Sequence, residues 1–343
     1  MSNRVLVTGV SGYLAGHIVT DLRERGYEVR GTVRSLAKTA ATAHLTGVEL
    51  VEADLSSDAG WAEAVAGCRY VVHAASPFPA AEPKREDELV RPAVDGTLRV
   101  LRAAAAGGVE RVVLTSSIAA VRMGHDHRCT EDDWSVLDAC DPYPKSKTLA
   151  ERAAWDFAAE HPETELAVIN PGMILGPVQR AGVGTSVDAI RALMAREIPA
   201  VPRIGFCPVD VRDVATAHRL ALETPAAAGN RYIVAGEFLP LPDMARILAT
   251  RYRVPTRVLP DVLVRLGARF DPTARTAARF LGHEEHVSSD KARRDLGWTM
   301  RPVEDTLFDT AAGLIDFGVV TDPGRPRGHA RSAASGARTA TAG

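Results

Sequence analysis

A short β-branched run, Arg4–Thr8, passes directly into Gly9-Val-Ser11-Gly12-Tyr13-Leu14-Ala15-Gly16 and then into a helical pattern over Tyr13–Arg25. Glycine makes so abrupt a change of direction possible. Gly9 permits the tight turn, Gly12 the close approach of backbone to a pyrophosphate, and Ala15 or Gly16 the close packing of helix on strand. The N-terminus of that helix offers unpaired N–H groups and partial positive charge to an anion.

The alternation then continues. Strand patterns fall at Glu28–Val33, Val48–Glu52, Tyr70–Ala74, Arg111–Thr115 and Leu166–Asn170, and a helical stretch is expected near Leu36–Leu45. The later runs are almost unbroken in apolar residues, as in strands buried on both faces. Glu86–Ala106 and Pro142–Glu160 read as long helices. Leu89, Val90, Ala93, Val94, Leu98 and Leu101 mark an apolar face on the first, expected to pack on the sheet. This rhythm predicts an α/β chain with a Rossmann-type doubly wound parallel sheet.

After Pro171 the rhythm breaks into segments rich in Pro and Gly, with helices expected at Val214–Leu222, Leu241–Tyr252 and Val303–Phe317. The expected organisation is a dinucleotide-binding domain over residues 1–170, to which later segments add strands, and a smaller C-terminal substrate lobe over 171–318, interleaved with the sheet. Residues 325–343 lack periodic apolar positions and are expected to form a disordered tail.

With 343 residues, 46% hydrophobic and 24% charged, the chain is long enough for such a core plus a lobe. A formal net charge of -2 argues against a nucleic-acid groove or an anionic membrane surface as partner. Cys68, Cys129, Cys140 and Cys207 have neither zinc-ligand nor disulfide-framework spacing, which fits a reducing, cytoplasmic setting. The first strand begins too early to follow a secretion signal, and no apolar stretch approaches the roughly 18 residues of a membrane span. A monomer or homodimer is expected.

The second strand ends Gly31-Thr-Val33-Arg34-Ser35, with Lys38 a turn further on. An acid at that place would take the ribose hydroxyls of NAD; a cation suits the 2′-phosphate of NADP(H), with Arg34 as the planar fork and Lys38 as a second charge. Asp54-Leu55 would lie beside the adenine, although an Asp there can equally cap the following helix. Ala74-Ala75-Ser76 supplies small residues where a cofactor ribose would rest.

Farther on, Ser116-Ser117 follows the strand Arg111–Thr115 and Tyr143-Pro-Lys-Ser-Lys147 opens a helix. Carbonyl reduction needs a proton for the developing alkoxide, and Tyr143 is the candidate donor. A phenol ordinarily titrates near 10, so a cation one turn along, Lys147, is expected to acidify it. Ser117 would bind and orient the substrate oxygen, with Ser116 as its competitor. Between these motifs His125 and His127 stand among several acids, but the spacing is irregular and no metal site is expected.

These motifs, with Thr32-Val-Arg34, His73-Ala-Ala-Ser-Pro77, Arg91-Pro-Ala-Val-Asp-Gly96-Thr97, Asn170-Pro-Gly-Met-Ile-Leu-Gly-Pro177 and Val209-Asp-Val-Arg-Asp-Val214, resemble the extended short-chain dehydrogenase/reductase family. Within it they resemble the dihydroflavonol 4-reductase-like and microbial aldehyde and ketone reductases, over nearly the whole chain to about Gly318. The resemblance implies a Ser117, Tyr143, Lys147 triad and NADPH contacts from Gly9, Ser11, Gly12, Tyr13, Leu14, Arg34, Lys38, Asp54, Leu55 and Ala74. It also implies closure over the nicotinamide by Pro171, Gly172, Met173 and Ile174. Ala93 stands where sugar epimerases of the wider family often carry Asn, which points toward carbonyl reduction. The expected activity is NADPH-dependent reduction of an aldehyde or ketone on a small, mainly apolar molecule. Alternatives on the same fold are an NAD-dependent sugar-nucleotide epimerase or dehydratase, a hydroxysteroid dehydrogenase, and a non-enzymatic dinucleotide sensor.

Overall fold

The computed structural model describes residues 3–37, 42–76, 85–182, 184–270 and 272–326. Lys38, Pro77 and the tail from 327 onward lie outside them. The first half runs β1 (Arg4–Val7), α1 (Tyr13–Glu24), β2 (Glu28–Val33), β3 (Glu49–Glu52), α2 (Trp61–Val65), β4 (Tyr70–His73), α3 (Asp87–Ala106), β5 (Arg111–Thr115), α4 (Pro142–Glu160) and β6 (Glu165–Pro171). The second runs β7 (Met173–Leu175), α5 (Thr185–Met194), β8 (Val201–Pro202), β9 (Gly205–Phe206), β10 (Pro208–Asp210), α6 (Val211–Glu223), β11 (Asn230–Val234), β12 (Leu239–Pro240), α7 (Leu241–Ala249), β13 (Val258–Leu259), α8 (Asp261–Gly267), α9 (Pro272–Phe280), α10 (Asp290–Leu296) and α11 (Val303–Asp316).

Seven parallel strands form one sheet in the order β11-β6-β5-β4-β1-β2-β3. The order reverses between β1 and β4, and ligands of open α/β sheets collect at the carboxyl ends of strands beside such a switch. Alternation along the strands feeds two cores. Val5 and Val7 pack with Ile18, Leu22, Val214 and Leu222 of α1 and α6, while Leu6 faces the opposite side with Val51, Val71, Val100 and Leu166. On α3, Leu89, Ala93 and Leu101 are buried and Val90, Val94 and Leu98 half-buried, so the apolar stripe faces inward.

The helix expected across Leu36–Leu45 does not form in its described parts. Leu36 gives its N–H to Glu52 Oε2 at 3.1 Å, and Leu45 donates to the Thr42 carbonyl at 2.8 Å within a turn. Leu36 is also 46% exposed, so there is no apolar stripe here to hold a helix against the sheet.

The lobe has its own core, in which Ile190, Leu193, Met244, Leu248, Leu307 and Leu314 are fully buried. Its segments are threaded through the sheet: β11 pairs with β6, and α6 packs beside α1. The Val209–Val214 motif turns out to be a clasp between the two parts. Asp210 caps α6 through the Arg212 N–H at 2.9 Å and binds the Arg212 guanidinium, which also reaches Asp309 of α11 at 2.6 Å. Asp213 holds Arg301 at 2.6 Å. No helix among the described residues is long and apolar enough to cross a membrane.

Candidate active site

Gly9 sits at φ +67°, and a Cβ there would lie 2.9 Å from that of Ala75, so the turn after β1 and the end of β4 meet closely at the switch point. Thr8 staples them: its hydroxyl accepts the Ala75 N–H at 3.0 Å and lies 2.9 Å from His73 Nδ1. Gly9 N–H donates to Thr32 Oγ1 at 3.0 Å, tying the turn to β2 as well. Burial brings His73 down to about 3, with the charge of Lys147 adding to the effect, so the imidazole is neutral.

Helix α1 begins behind Gly12 with no side-chain cap and no acid in its first turn. Its first N–H groups are therefore left for an external anion. Arg180 adds positive charge there, donating to the Ser11 carbonyl at 2.5 Å from the C-terminal lobe. Sequence reasoning missed Arg180, because nothing local connects it to the turn. Tyr13 and Leu14 open α1 half-buried; the Tyr13 hydroxyl has no hydrogen-bond partner among the described residues, and burial first, then Asp210, raises its titration point.

Arg34 is exposed at the end of β2. Its charge reaches Asp54, whose carboxyl lies below the ordinary range chiefly because Ser56 Oγ and N–H donate to it, with Arg34 and Arg99 adding to this against burial. Asp54 accepts from the Ser56 N–H at 2.8 Å, a turn cap. Leu55 packs against Gly96 of α3, and its carbonyl takes a donor from Arg99. An uncapped helix start, a glycine turn pressed on Ala75 and an exposed guanidinium after β2 together fit a dinucleotide carrying a 2′-phosphate.

Ser116 and Ser117 have different surroundings. Ser116 is buried and donates to Glu151 Oε2 at 2.5 Å. Ser117 accepts the Ala119 N–H at 3.1 Å and hydrogen-bonds the Tyr143 phenol. Tyr143 lies in the first turn of α4, where Pro142 and Pro144 cost no intrahelical bond.

Lys147, one turn on, lines a small cleft with Ala75, Ser76, Thr97 and Glu151. The fold thus gathers Ser117, Tyr143, Lys147, Ala75 and Ser76 on one side of the sheet. Ala74 is half-buried at the end of β4, while Pro171 closes β6 and Met173 and Ile174 begin β7. Gly172 between them passes under the Cys207 carbonyl, only 2.1 Å from where a Cβ would be, and no other residue fits that crossing.

The electrostatics depart from the sequence expectation. Burial pushes the Tyr143 phenol up, and the influences that lower it are the Ser117 hydrogen bond and Arg122, not Lys147. The Lys147 ammonium stands 6.0 Å from the Tyr143 ring centre. Burial brings Lys147 itself down to about 8, against the pull of Glu151.

Two residues essential to this geometry were not singled out in the sequence. Glu151 is fully buried beneath Ser116 and also accepts from Asn170 Nδ2 at 2.8 Å; its position four after Lys147 on α4 was the available signal. Arg122 pairs with buried Glu285 at 2.6 Å, and nothing local announced that pairing. A larger cavity, about 400 Å³, lies in the lobe between Arg203, Phe238, Arg246, Val258 and His283. Its lining includes none of the expected site residues.

Known proteins share this arrangement. The profile of the NAD dependent epimerase/dehydratase family matches residues 5–236. The chain is 32% identical to tetraketide alpha-pyrone reductase 1 of Arabidopsis thaliana, covering 93% of this chain and 97% of that protein. It is 35% identical to cinnamoyl-CoA reductase 1 of Petunia hybrida, covering 93% and 94%. The yeast methylglyoxal/isovaleraldehyde reductase Gre2, solved with NADPH, superposes with a TM-score of 0.76 at 28% identity, covering 92% of this chain and all of that one, 100%. Sheet order, glycine turn and these relatives agree: the chain belongs to the extended short-chain dehydrogenase/reductase family, among its carbonyl reductases.

Proposed function

We propose that this NADP(H)-dependent oxidoreductase reduces an aldehyde or ketone on a small, mainly apolar molecule to the alcohol, with Tyr143 giving the proton. The observation that carries this reading is the hydrogen bond between Ser117 and Tyr143 at the carboxyl ends of the sheet, on the side where Lys147 meets Ala75 and Ser76. When bound, the nicotinamide supplies the hydride.

Ser117 holds the carbonyl oxygen and Tyr143 protonates it as negative charge develops. Burial keeps the phenol protonated at neutral pH, as a proton donor must be. Lys147 keeps positive charge beside the cleft up to about pH 8, and Ser117 and Arg122 favour the phenolate left after transfer. Arg34 would hold the 2′-phosphate, and the open start of α1 the pyrophosphate. The protein works as a monomer or homodimer in a reducing, cytoplasmic setting, where its four free thiols are stable.

Steady-state kinetics with NADPH across aldehydes, diketones and β-keto esters test the assignment. Tyr143→Phe is expected to lower turnover about 10²–10⁴-fold while NADPH binding, followed by fluorescence, stays within a few-fold. Residual turnover close to that of the parent would remove Tyr143 as the acid. Arg34→Ala is expected to raise the Michaelis constant for NADPH by about tenfold, the scale of one charge-assisted hydrogen bond, and to leave that for NADH unchanged. An equal effect on both coenzymes would remove Arg34 from the 2′-phosphate.

A further inference from the structure

The segment between Ser117 and Tyr143 carries side chains that carbonyl reduction does not use. On its outer corner a ring nitrogen of His125, a ring nitrogen of His127 and a carboxylate oxygen of Asp133 all lie within 4.8 Å of one another. The two imidazole rings are 5.0 Å apart between centres. His127 is exposed and the other two are half-buried, so the corner is open to solvent. Irregular spacing concealed the group in the sequence, because Asp133 reaches the histidines only through the turn it makes with Thr130.

Two of these side chains, His125 and Asp133, are already oriented from behind. His125 Nε2 lies 3.0 Å from the Trp134 carbonyl, which can only accept. That nitrogen therefore carries the proton, leaving the lone pair on Nδ1. A carbonyl behind the ring fixes the tautomer and raises the basicity of the free nitrogen, as at metal-bound histidines. Asp133 accepts the Thr130 N–H at 2.8 Å through Oδ2, and its Oδ1 is 3.1 Å from His127 Nε2. Asp126, 3.9 Å from His127 Nδ1, adds negative charge.

We propose that His125, His127 and Asp133 bind one divalent transition-metal ion of the zinc class, with water completing its shell. Two imidazoles and one carboxylate suit zinc, cobalt or nickel rather than calcium or magnesium, which take oxygen ligands. Zinc bonds of about 2.0–2.1 Å place tetrahedral ligands about 3.4 Å apart. The most distant pair must therefore close by up to about 1.4 Å, while His127 Nε2 and Asp133 Oδ1 are already 3.1 Å apart, a change that rotation of side chains on a surface turn supplies.

The corner is tied to the catalytic elements. The Trp134 ring lies 3.9 Å from the Arg231 guanidinium, which meets Glu151 of α4 at 2.8 Å, and Ser135 donates to the Ala119 carbonyl at 2.9 Å. A bound ion would thus stiffen the segment linking Ser117 to Tyr143, and the protein would melt at a higher temperature.

Tag-free full-length protein, stripped with a chelator and dialysed, is titrated with zinc chloride by calorimetry and with cobalt chloride by visible absorption. One ion per chain is expected, with a rise in melting temperature and binding at least about tenfold weaker in His125→Ala and His127→Ala. His286→Ala, whose ring faces Glu284 at 3.3 Å, is expected to bind like the parent. The absence of saturable one-to-one binding overturns the proposal, as does binding lost in His286→Ala but kept in His127→Ala. Should His127→Ala fail to fold, cobalt-shifted histidine proton resonances of the parent decide, since a site elsewhere leaves the His125 and His127 signals in place.

Discussion

Two buried carboxylate–guanidinium pairs flank the helix that carries Tyr143, and they are finished to different degrees. Glu151 meets Arg231 at 2.8 Å and also accepts from Ser116, Asn170 and the Trp155 indole. Arg231 donates to the Asp133 carbonyl at 2.9 Å and lays its face on Trp134. Glu285 meets only Arg122 among the described residues, while both guanidiniums keep buried nitrogens without hydrogen-bond partners there, Nε of Arg122 and Nε and Nη2 of Arg231. The difference therefore lies on the carboxylates: Glu151 is ringed by donors and ties several elements together, whereas Glu285 has one cation to compensate it.

The contrast breaks most visibly at Glu151. Glu151→Ala leaves the Arg231 charge uncompensated and strips partners from Ser116 and Asn170, so a loss of about 3–5 kcal/mol of stability is expected. Urea unfolding checks it, and a loss no larger than that of a surface substitution would mean that Glu151 is not the keystone of this cluster.

At the other pair the expected effects are smaller, kinetic and opposite in sign. Arg122→Gln removes a cation that favours the Tyr143 phenolate, so the pH profile of the reverse reaction, alcohol oxidation, should move to higher pH. Glu285→Gln removes the counter-charge of Arg122 and should move the same profile to lower pH. Shifts of the same sign would make the pair structural. In stability the smallest effect is expected. Burial raises the Glu285 carboxyl above its usual range despite Arg122, so the folded state binds its proton more tightly than the unfolded chain does. The parent should lose ground to Glu285→Gln as pH rises from the ordinary carboxyl value through the raised one.

The same contrast explains what the sequence could disclose. The glycine turn, the strands of the parallel sheet and the grouping of Ser117, Tyr143 and Lys147 follow from local chemistry: turn residues at fixed offsets, apolar runs and one helical turn. Arg122 with Glu285, Glu151 with Arg231, and Arg180 with Ser11 join residues that only the folded sheet brings together, and periodicity carries no trace of them. For a related reason the influences that lower the Tyr143 phenol are Ser117 and Arg122 and do not include Lys147. Its backbone position was readable, but its side-chain direction and the desolvation of both groups depend on surrounding elements.

Arg180 reaches out of the C-terminal lobe to clasp the Ser11 carbonyl in the turn before α1. An anion settling on that turn shares space and charge with this guanidinium, so one arginine couples the glycine turn to a segment 169 residues away.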